Sequence, residues 1–420
     1  MPESTERYRK TVLPNGIRVV TMRMPHVRSV TMGVWVWSGT RFEPSGSPGI
    51  AHFLEHAVFK GTERRNAYQI ALSIESLGGY LNAFTGRELN CYVARVMDSH
   101  LPVAVDVIGD LLQSSRFDPQ EIEKEKTVVI EEIHGLEDNP EDLVSELYAN
   151  LIWQPHPLSR PILGNAASVS SFTRSDLVAY LADRYRNGRI HIIAAGCVDH
   201  DGLADLIRDQ YDFPGDSREP GPDDQPDSNG ARKRVLSKEV SQVHLCLGGI
   251  GLPYSHPSKY ALFLLNAVLG GGMTSRLFQK IREEAGLAYS IYSDLEFCRD
   301  TGQICISAGV DPKDAQRTID LIRHECRVLC EQPVPEDELR DTRSQLVGGL
   351  YLSLEETGSV MNRLARAEIY ENAYSSLDET VRKLEEVTAS EISEMANILF
   401  TPENTYLTAV GPVSDGDITL

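Results

Sequence analysis

No run in the 420-residue sequence approaches the roughly 18 uninterrupted apolar residues that a membrane-spanning helix needs. The opening Met1-Pro2-Glu3-Ser4-Thr5-Glu6-Arg7 has no apolar signal region, so the chain as given is expected to be cytoplasmic, or a processed form whose signal has gone. Cysteine is sparse: seven residues, odd in number and scattered, with no CxxC pair, and Cys326 and Cys330 sit in an amphipathic stretch that suits core packing. That usage argues against a disulfide framework and favours a reducing compartment. Positive charge is short as well, 41 Lys and Arg against 61 Asp and Glu, for a net charge of −20. Such a chain is repelled by nucleic acid and by anionic membranes, which excludes both as partners. It leaves room for a basic substrate, but a solvated acidic surface is the simpler account of the charge. A phosphate loop is missing too: Gly270-Gly271-Gly272 lacks the GxxxxGK[ST] frame and follows an apolar helix rather than a strand.

At this length a single hydrophobic core no longer keeps growing, and two domains are expected. The stretch from Phe213 to Gly230 is dominated by proline, glycine and aspartate and reads as an exposed linker near the midpoint. The halves on either side repeat one another. Ala51-His-Phe-Leu-Glu-His-Ala-Val-Phe-Lys-Gly61 aligns without gaps on Ala261-Leu-Phe-Leu-Leu-Asn-Ala-Val-Leu-Gly-Gly271. Thr173-Arg-Ser175-Asp176 matches Thr388-Ala-Ser390-Glu391, and both predict helix N-caps with an acid at the third helical position. The organisation expected is therefore a first domain over 1–212, a linker over 213–232 and a homologous second domain over 233–420.

Within the first copy, 16–22, 30–37, 80–84, 90–96 and 190–197 predict strands, while 49–59, 66–77, 99–114, 118–136 and 173–184 predict helices. This order gives an α+β class: two homologous sandwich (roll) domains, each a mostly antiparallel sheet with helices packed on one face.

Residues 52–56 read His-Phe-Leu-Glu-His. Positions i and i+4 share a helix face, so His52 and His56 can direct their imidazoles at one metal ion, and Glu55 lies close enough to polarise a water bound there. The pattern is the inverted form of the HExxH zinc motif. In the second copy the corresponding residues are Leu262, Leu265 and Asn266. The fold does not itself require the His-Glu-His set, which strengthens the metal reading and predicts a second half that is silent on its own.

A catalytic zinc takes three protein ligands and keeps an open position. Helix 118–136 offers several glutamates, and its apolar stripe runs through Val129, Ile133 and Leu136. Glu125 and Glu132 fall on that stripe, whereas Glu131 lies off its centre and Glu121 and Glu123 read as solvated. A carboxylate on a core-facing stripe needs a partner. Glu132 is accordingly the expected third ligand and Glu125 an auxiliary acid behind the ligands; His134 is a weaker ligand candidate.

These motifs resemble the pitrilysin (insulinase) family of zinc peptidases over nearly the whole chain. Residues 51–62, Leu81-Asn-Ala-Phe-Thr-Gly-Arg-Glu88 and Glu125 through Glu132 are similar to the mitochondrial processing peptidase β-subunit and its short bacterial relatives. The resemblance implies one zinc per chain on His52, His56 and Glu132, with Glu55 as general base. It implies that the strand at Asn82, Ala83 and Phe84 pairs with extended substrate and that Phe59 lines an apolar pocket beside the scissile bond. It also implies that Arg282 and Tyr289, seven residues apart in the silent half, bind substrate and stabilise the oxyanion. The long glycine-rich insertion of the processing peptidase α-subunit is absent, which speaks against import-presequence specificity.

The function expected is a zinc metalloendopeptidase hydrolysing unfolded peptides of limited length. Both halves lie on one polypeptide, so a self-sufficient homodimer is expected over an obligate heterodimer. The alternatives are a catalytically silent scaffold or assembly subunit of the same fold, against which the complete ligand set argues, and a metallohydrolase acting on a non-peptide substrate.

Overall fold

The computed structural model describes residues 7–214 and 231–420, so most of the expected linker lies outside the described residues. The first copy carries strands β1 (Tyr8–Val12), β2 (Arg18–Arg23), β3 (Ser29–Val36), β4 (Tyr80–Thr85), β5 (Asn90–Met97) and β6 (Ile190–Gly196). Its helices are α1 (Ile50–Val58), α2 (Ala67–Glu75), α3 (Leu101–Ser114), α4 (Pro119–Asp138), α5 (Pro140–Trp153), α6 (Ala166–Ser171), α7 (Arg174–Arg184) and α8 (His200–Gln210). The second copy carries β7 (Lys233–Ser237), β8 (Val243–Gly251), β9 (Ala288–Phe297), β10 (Gly302–Val310) and β11 (Tyr406–Gly411). Its helices are α9 (Lys259–Gly270), α10 (Ala315–Glu331), α11 (Glu336–Ser353), α12 (Thr357–Arg366), α13 (Leu377–Glu386) and α14 (Ala389–Leu399). The elements predicted in the first copy are all present to within a few residues.

The two sheets share one topology. The first runs β1-β2-β6-β3-β5-β4 and the second β7-β11-β8-β10-β9. Among the described residues, the only parallel pair in each joins the opening strand of the shared set to the strand that closes the copy, β2 with β6 and β7 with β11. The remaining neighbours are antiparallel. Thr173 and Thr388 cap α7 and α14 with full capping boxes to Asp176 and Glu391, as the repeated Thr-x-Ser-acid pattern predicts.

Packing departs from chain order. The described residues form two compact units, one from 7–134, 160–214 and 353–374, the other from 135–159, 231–352 and 375–420. The halves therefore exchange one equivalent helix each: α5 belongs to the second unit and α12 to the first. This corrects the expectation of helices on one face. In the first unit, one core joins Val19, Val34 and Ile192 to Phe53 and Leu54 of α1 and Ile108 and Leu111 of α3. On the opposite face Val20, Trp35 and Ile193 pack against Val360, Met361 and Leu364 of α12. The Trp35 indole N–H meets Met361 Sδ at 3.4 Å, and the buried Thr31 and Thr357 hydroxyls bond at 2.7 Å. In the second unit α5 covers the matching face, where Tyr148 donates to the Ile304 carbonyl at 2.8 Å. Two-sided burial shows in the strands themselves, since every residue of β6 and β11 is buried.

Phe213, placed by the sequence at the head of the linker, is buried in the first core, and its N–H is bound by Asn187 Oδ1 at 3.1 Å. All seven cysteines are unbridged. No helix among the described residues is long and apolar enough to cross a membrane.

Candidate metal centre

Helix α1 starts at Gly49, whose φ of 89° lies in the left-handed region that glycine alone adopts without strain. A Cβ here would sit 2.6 Å from the Leu163 carbonyl oxygen, and one on Gly164 would sit 2.3 Å from that of Pro48. The two backbones thus cross in direct contact and fix where the helix begins. Its first N–H groups have no side-chain cap of their own; the buried carboxylate of Glu43 accepts from Gly49 N at 3.0 and 3.1 Å and from Ala51 N at 3.0 Å. A carboxylate suits the positive end of a helix dipole. Burial nonetheless pushes the Glu43 carboxyl up to about 8, against those donors.

One turn into α1, the His52 and His56 rings lie tilted against each other with centroids 4.5 Å apart. Their Nε2 atoms lie 3.8 and 3.6 Å from the same oxygen, Oε2 of Glu132 on α4. Among the described residues these three form a trio whose ligand atoms all fall within 4.8 Å of one another. Ligands about 2.0–2.1 Å from a tetrahedral zinc lie about 3.4 Å apart, so the trio closes on such an ion with small adjustments. Two imidazoles and a carboxylate also suit zinc chemically.

The surroundings match that use. Glu125, one heptad before Glu132, is 3% exposed and accepts from His56 Nδ1 at 2.8 Å and from Lys60 Nζ at 2.6 Å. A carboxylate only accepts, so His56 carries its proton on Nδ1 and turns the Nε2 lone pair to the trio. Burial acts to raise the Glu125 carboxyl, but the bonds from His56 and Lys60 hold it below the ordinary range. At His56 burial acts to lower the pKa, and the bond to Glu125 with the nearby Glu132 and Glu55 outweighs it, so the net shift is upward. His52 is the opposite case: burial and then the neighbouring His56 push it down to about 3, and its Nδ1 is buried without a partner. A neutral imidazole is what a metal requires.

Glu55 stands between the histidines, half-buried. Burial raises its carboxyl, while Thr85 Oγ1 donates to Oε2 at 2.6 Å and pulls the other way. Thr85 in turn accepts from Asn90 Nδ2 at 2.6 Å. Sequence reasoning assigned no role to Glu43, Lys60, Thr85 or Asn90. Lys60 and Thr85 lie inside the motif stretches 51–62 and 81–88, and an odd polar residue within an otherwise packed motif was the available signal; Glu43 gave none, because it reaches α1 from outside the helix. His134 does not join the trio but faces Glu131 at 3.7 Å, both well exposed.

In the second copy the residues equivalent to His52 and Glu55, Leu262 and Leu265, are fully buried in the core. Arg282 and Tyr289 are brought together there. Arg282 lies on a π-helical turn, Phe278–Glu284, a distortion common at functional sites. Its guanidinium carbon is 4.6 Å from the Phe278 ring centre and 5.9 Å from that of Tyr289, which is 78% exposed. A concavity of about 360 Å³ is lined by Arg282 and Phe278 together with Gly270, Gly271 and Gly272. That glycine run follows α9, in line with its rejection as a phosphate loop. Of the remaining expected residues, Phe59 caps α1 and packs half-buried on the first core. Asn82, Ala83 and Phe84 lie on β4, the edge strand of its sheet. Ala83 points into the core, Asn82 donates to the Tyr80 hydroxyl at 2.7 Å, and Phe84 packs edge-on against Trp35.

The sequence profile described as insulinase (peptidase family M16) matches residues 18–166, and that of the peptidase M16 inactive domain matches residues 171–346. A Mycobacterium tuberculosis (strain ATCC 25618 / H37Rv) protein named as an uncharacterized zinc protease is 39% identical over 402 residues, 94% of this chain and 91% of its own length. A Bacillus subtilis (strain 168) protein of like name is 38% identical over 398 residues, 95% of this chain and 97% of its own. Among solved structures, a protease from Helicobacter pylori gives a TM-score of 0.88 at 20% identity, covering 96% of this chain and 99% of that one. A peptidase M16 inactive domain from Pseudomonas fluorescens gives 0.87 at 19% identity, covering 97% and 98%. At such identities the structural likeness speaks to the fold alone.

Proposed function

Because this chain belongs to the insulinase family (peptidase family M16), we propose that it is a zinc-dependent endopeptidase acting on unfolded peptides. The observation that carries the reading is the gathering of His52, His56 and Glu132, with Glu55 immediately before His56 on the same helix. His52, His56 and Glu132 hold one zinc per chain, and Glu125 orients His56. Bound there, zinc would supply Lewis acidity toward the peptide carbonyl and the attacking water. Glu55, tied at Oε2 by Thr85, accepts a proton from the attacking water and passes it to the leaving amine.

An unfolded substrate is favoured by β4, whose outer edge offers main-chain donors and acceptors to an extended peptide at Asn82, Ala83 and Phe84. Phe59 contributes an apolar contact for a side chain near the cleaved bond. Arg282 and Tyr289 contact the substrate and stabilise the oxyanion, a role supported by the approach of Arg282, on a π-helical turn that lines a concavity, to the exposed Tyr289 ring on β9. Homodimeric assembly and a cytoplasmic site of action belong to the same reading, the latter in keeping with unbridged cysteines. The test is Glu55→Gln: zinc content is expected to stay near one per chain while cleavage of a mixed peptide library falls to background. Cleavage at the wild-type rate by that variant would remove Glu55 from the mechanism.

A further inference from the structure

The hydrogen bond between Thr85 and Glu55 is the visible end of a longer buried chain. Thr85 and Asn90 face each other in register at the close of the β4–β5 hairpin, so their side chains meet on the face of the sheet that carries α1. Asn90 is 1% exposed and Ser38, at the end of β3, is fully buried. Asn90 Nδ2 lies 2.6 Å from Thr85 Oγ1 and 3.4 Å from the main-chain carbonyl of Ala51 in the first turn of α1. A carbonyl only accepts, which settles the amide orientation: the NH2 side faces Ala51 and Thr85, the oxygen side faces Ser38. Ser38 Oγ donates to Asn90 Oδ1 at 3.0 Å, and the Ser38 carbonyl is itself pinned by the Tyr180 hydroxyl at 2.6 Å.

The polarity of the whole chain follows. Ser38 donates to Asn90, Asn90 donates to Thr85, and the one hydroxyl proton of Thr85 has a single place left to go, Oε2 of Glu55 at 2.6 Å. A lone threonine could rotate its hydroxyl and accept instead; this one, with its oxygen already receiving a hydrogen bond, is a fixed donor.

Resting on the general-base reading above, we propose that Asn90, acting through Thr85, is a positioning residue for Glu55: the buried one-way chain from Ser38 ties back Oε2 and leaves Oε1 to meet the water. Neither Asn90 nor Thr85 is a metal ligand, so both set the efficiency of the proton transfer and not the metal affinity.

The experiment uses the full zinc-loaded chain and one fluorogenic, internally quenched peptide, with zinc content, kcat and KM measured for Thr85→Val, Thr85→Ser, Asn90→Leu and Glu55→Gln. Losing the hydrogen bond to charged Glu55 is expected to lower kcat about ten- to hundred-fold in Thr85→Val, and losing the neutral bond that fixes the Thr85 hydroxyl to lower it about two- to tenfold in Asn90→Leu. KM and zinc content stay within about twofold of wild type, as for an interaction made in the transition state. Thr85→Ser, which restores the hydroxyl, recovers most of the kcat lost in Thr85→Val. A kcat within about twofold of wild type in Thr85→Val, or a loss that tracks KM or zinc content, overturns the proposal. If Asn90→Leu does not fold, the smaller Asn90→Ala takes its place, and a kcat equal to wild type in the folded Asn90 variant overturns the role of Asn90. Full turnover by Glu55→Gln would instead overturn the general-base reading, a result separable from any seen at Thr85.

Discussion

Replacing Glu125 by Gln removes one charge from a site 3% exposed, at the point where His56 Nδ1 and Lys60 Nζ converge at 2.8 and 2.6 Å. The His56 bond loses its charge assistance, and a hydrogen bond to a charged group is worth about 1.5–3 kcal/mol. At 1.36 kcal/mol per decade, zinc affinity should fall about 10- to 100-fold, the range typical of residues that orient a metal-bound histidine. Proton competition acts in the opposite sense and has to be kept out of the measurement. Glu125 helps to raise the His56 pKa, so the wild-type histidine stays protonated to higher pH and releases that proton on binding metal. The variant loses this handicap, and the two curves converge as pH falls. Titration against a chromophoric zinc chelator at about pH 9, well above the ordinary imidazole value of about 6.5, isolates the orienting effect. A dissociation constant within about threefold of wild type there would refute the account of Glu125 as the residue that orients His56. Adding Lys60→Gln should recover folding stability, since Lys60 otherwise faces an amide that cannot neutralise it, yet leave zinc affinity low.

His191 on β6 is fully buried, neither ring nitrogen has a partner, and burial followed by Arg18 and Lys10 pushes it down to about 3. Its folded pKa lies below the unfolded value, so stability is intact above about pH 6.5 and is lost as pH falls toward 3; urea melts should show His191→Leu flattening that loss by about 2–3 kcal/mol at about pH 4.5, and an unchanged pH slope would refute it. Gly164→Ala forces a Cβ to within 2.3 Å of the Pro48 oxygen at a φ of 71°, and should cost about 2–3 kcal/mol in thermal melts while lowering zinc affinity by shifting the start of α1. Equal melting temperatures would show that the crossing at Gly49 relaxes freely. Tyr289→Phe, at a side chain 78% exposed, should leave the melting temperature unchanged and lower kcat about a hundred-fold; full turnover would remove Tyr289 from oxyanion stabilisation.

The metal trio was legible because helical spacing is a local rule. His52 and His56 share a face by arithmetic, and the stripe through Val129 and Ile133 places Glu125, which is buried. Glu132, expected on the same stripe, is exposed over 42% of its side chain although it meets the two histidines, and Glu131 is exposed against His134. The repeat made the topology legible in the same way, down to the caps at Thr173 and Thr388. What escaped was contact between residues whose sequence separation obeys no period. Glu43 reaches the start of α1 from a preceding turn, and Asn90 meets Thr85 only because a hairpin closes between them. The destination of α5 was equally hidden. Its apolar stripe fits either sheet, and nothing in Pro140–Trp153 names the partner; the one available hint was that β6 and β11 are apolar on both sides and so each needed a second cover.

The exchange of α5 and α12 separates two meanings of a half. Read along the covalent chain, each copy is complete in its helices; read through its contacts, each lacks one cover and lends its own. Cleaving the polypeptide between the copies would sever one peptide bond and leave every packed interface in place, whereas preparing residues 1–212 by themselves would expose Val20, Trp35 and Ile193 to water with nothing to shield them. Half-length fragments of this sequence are therefore expected to be insoluble singly and to fold when mixed.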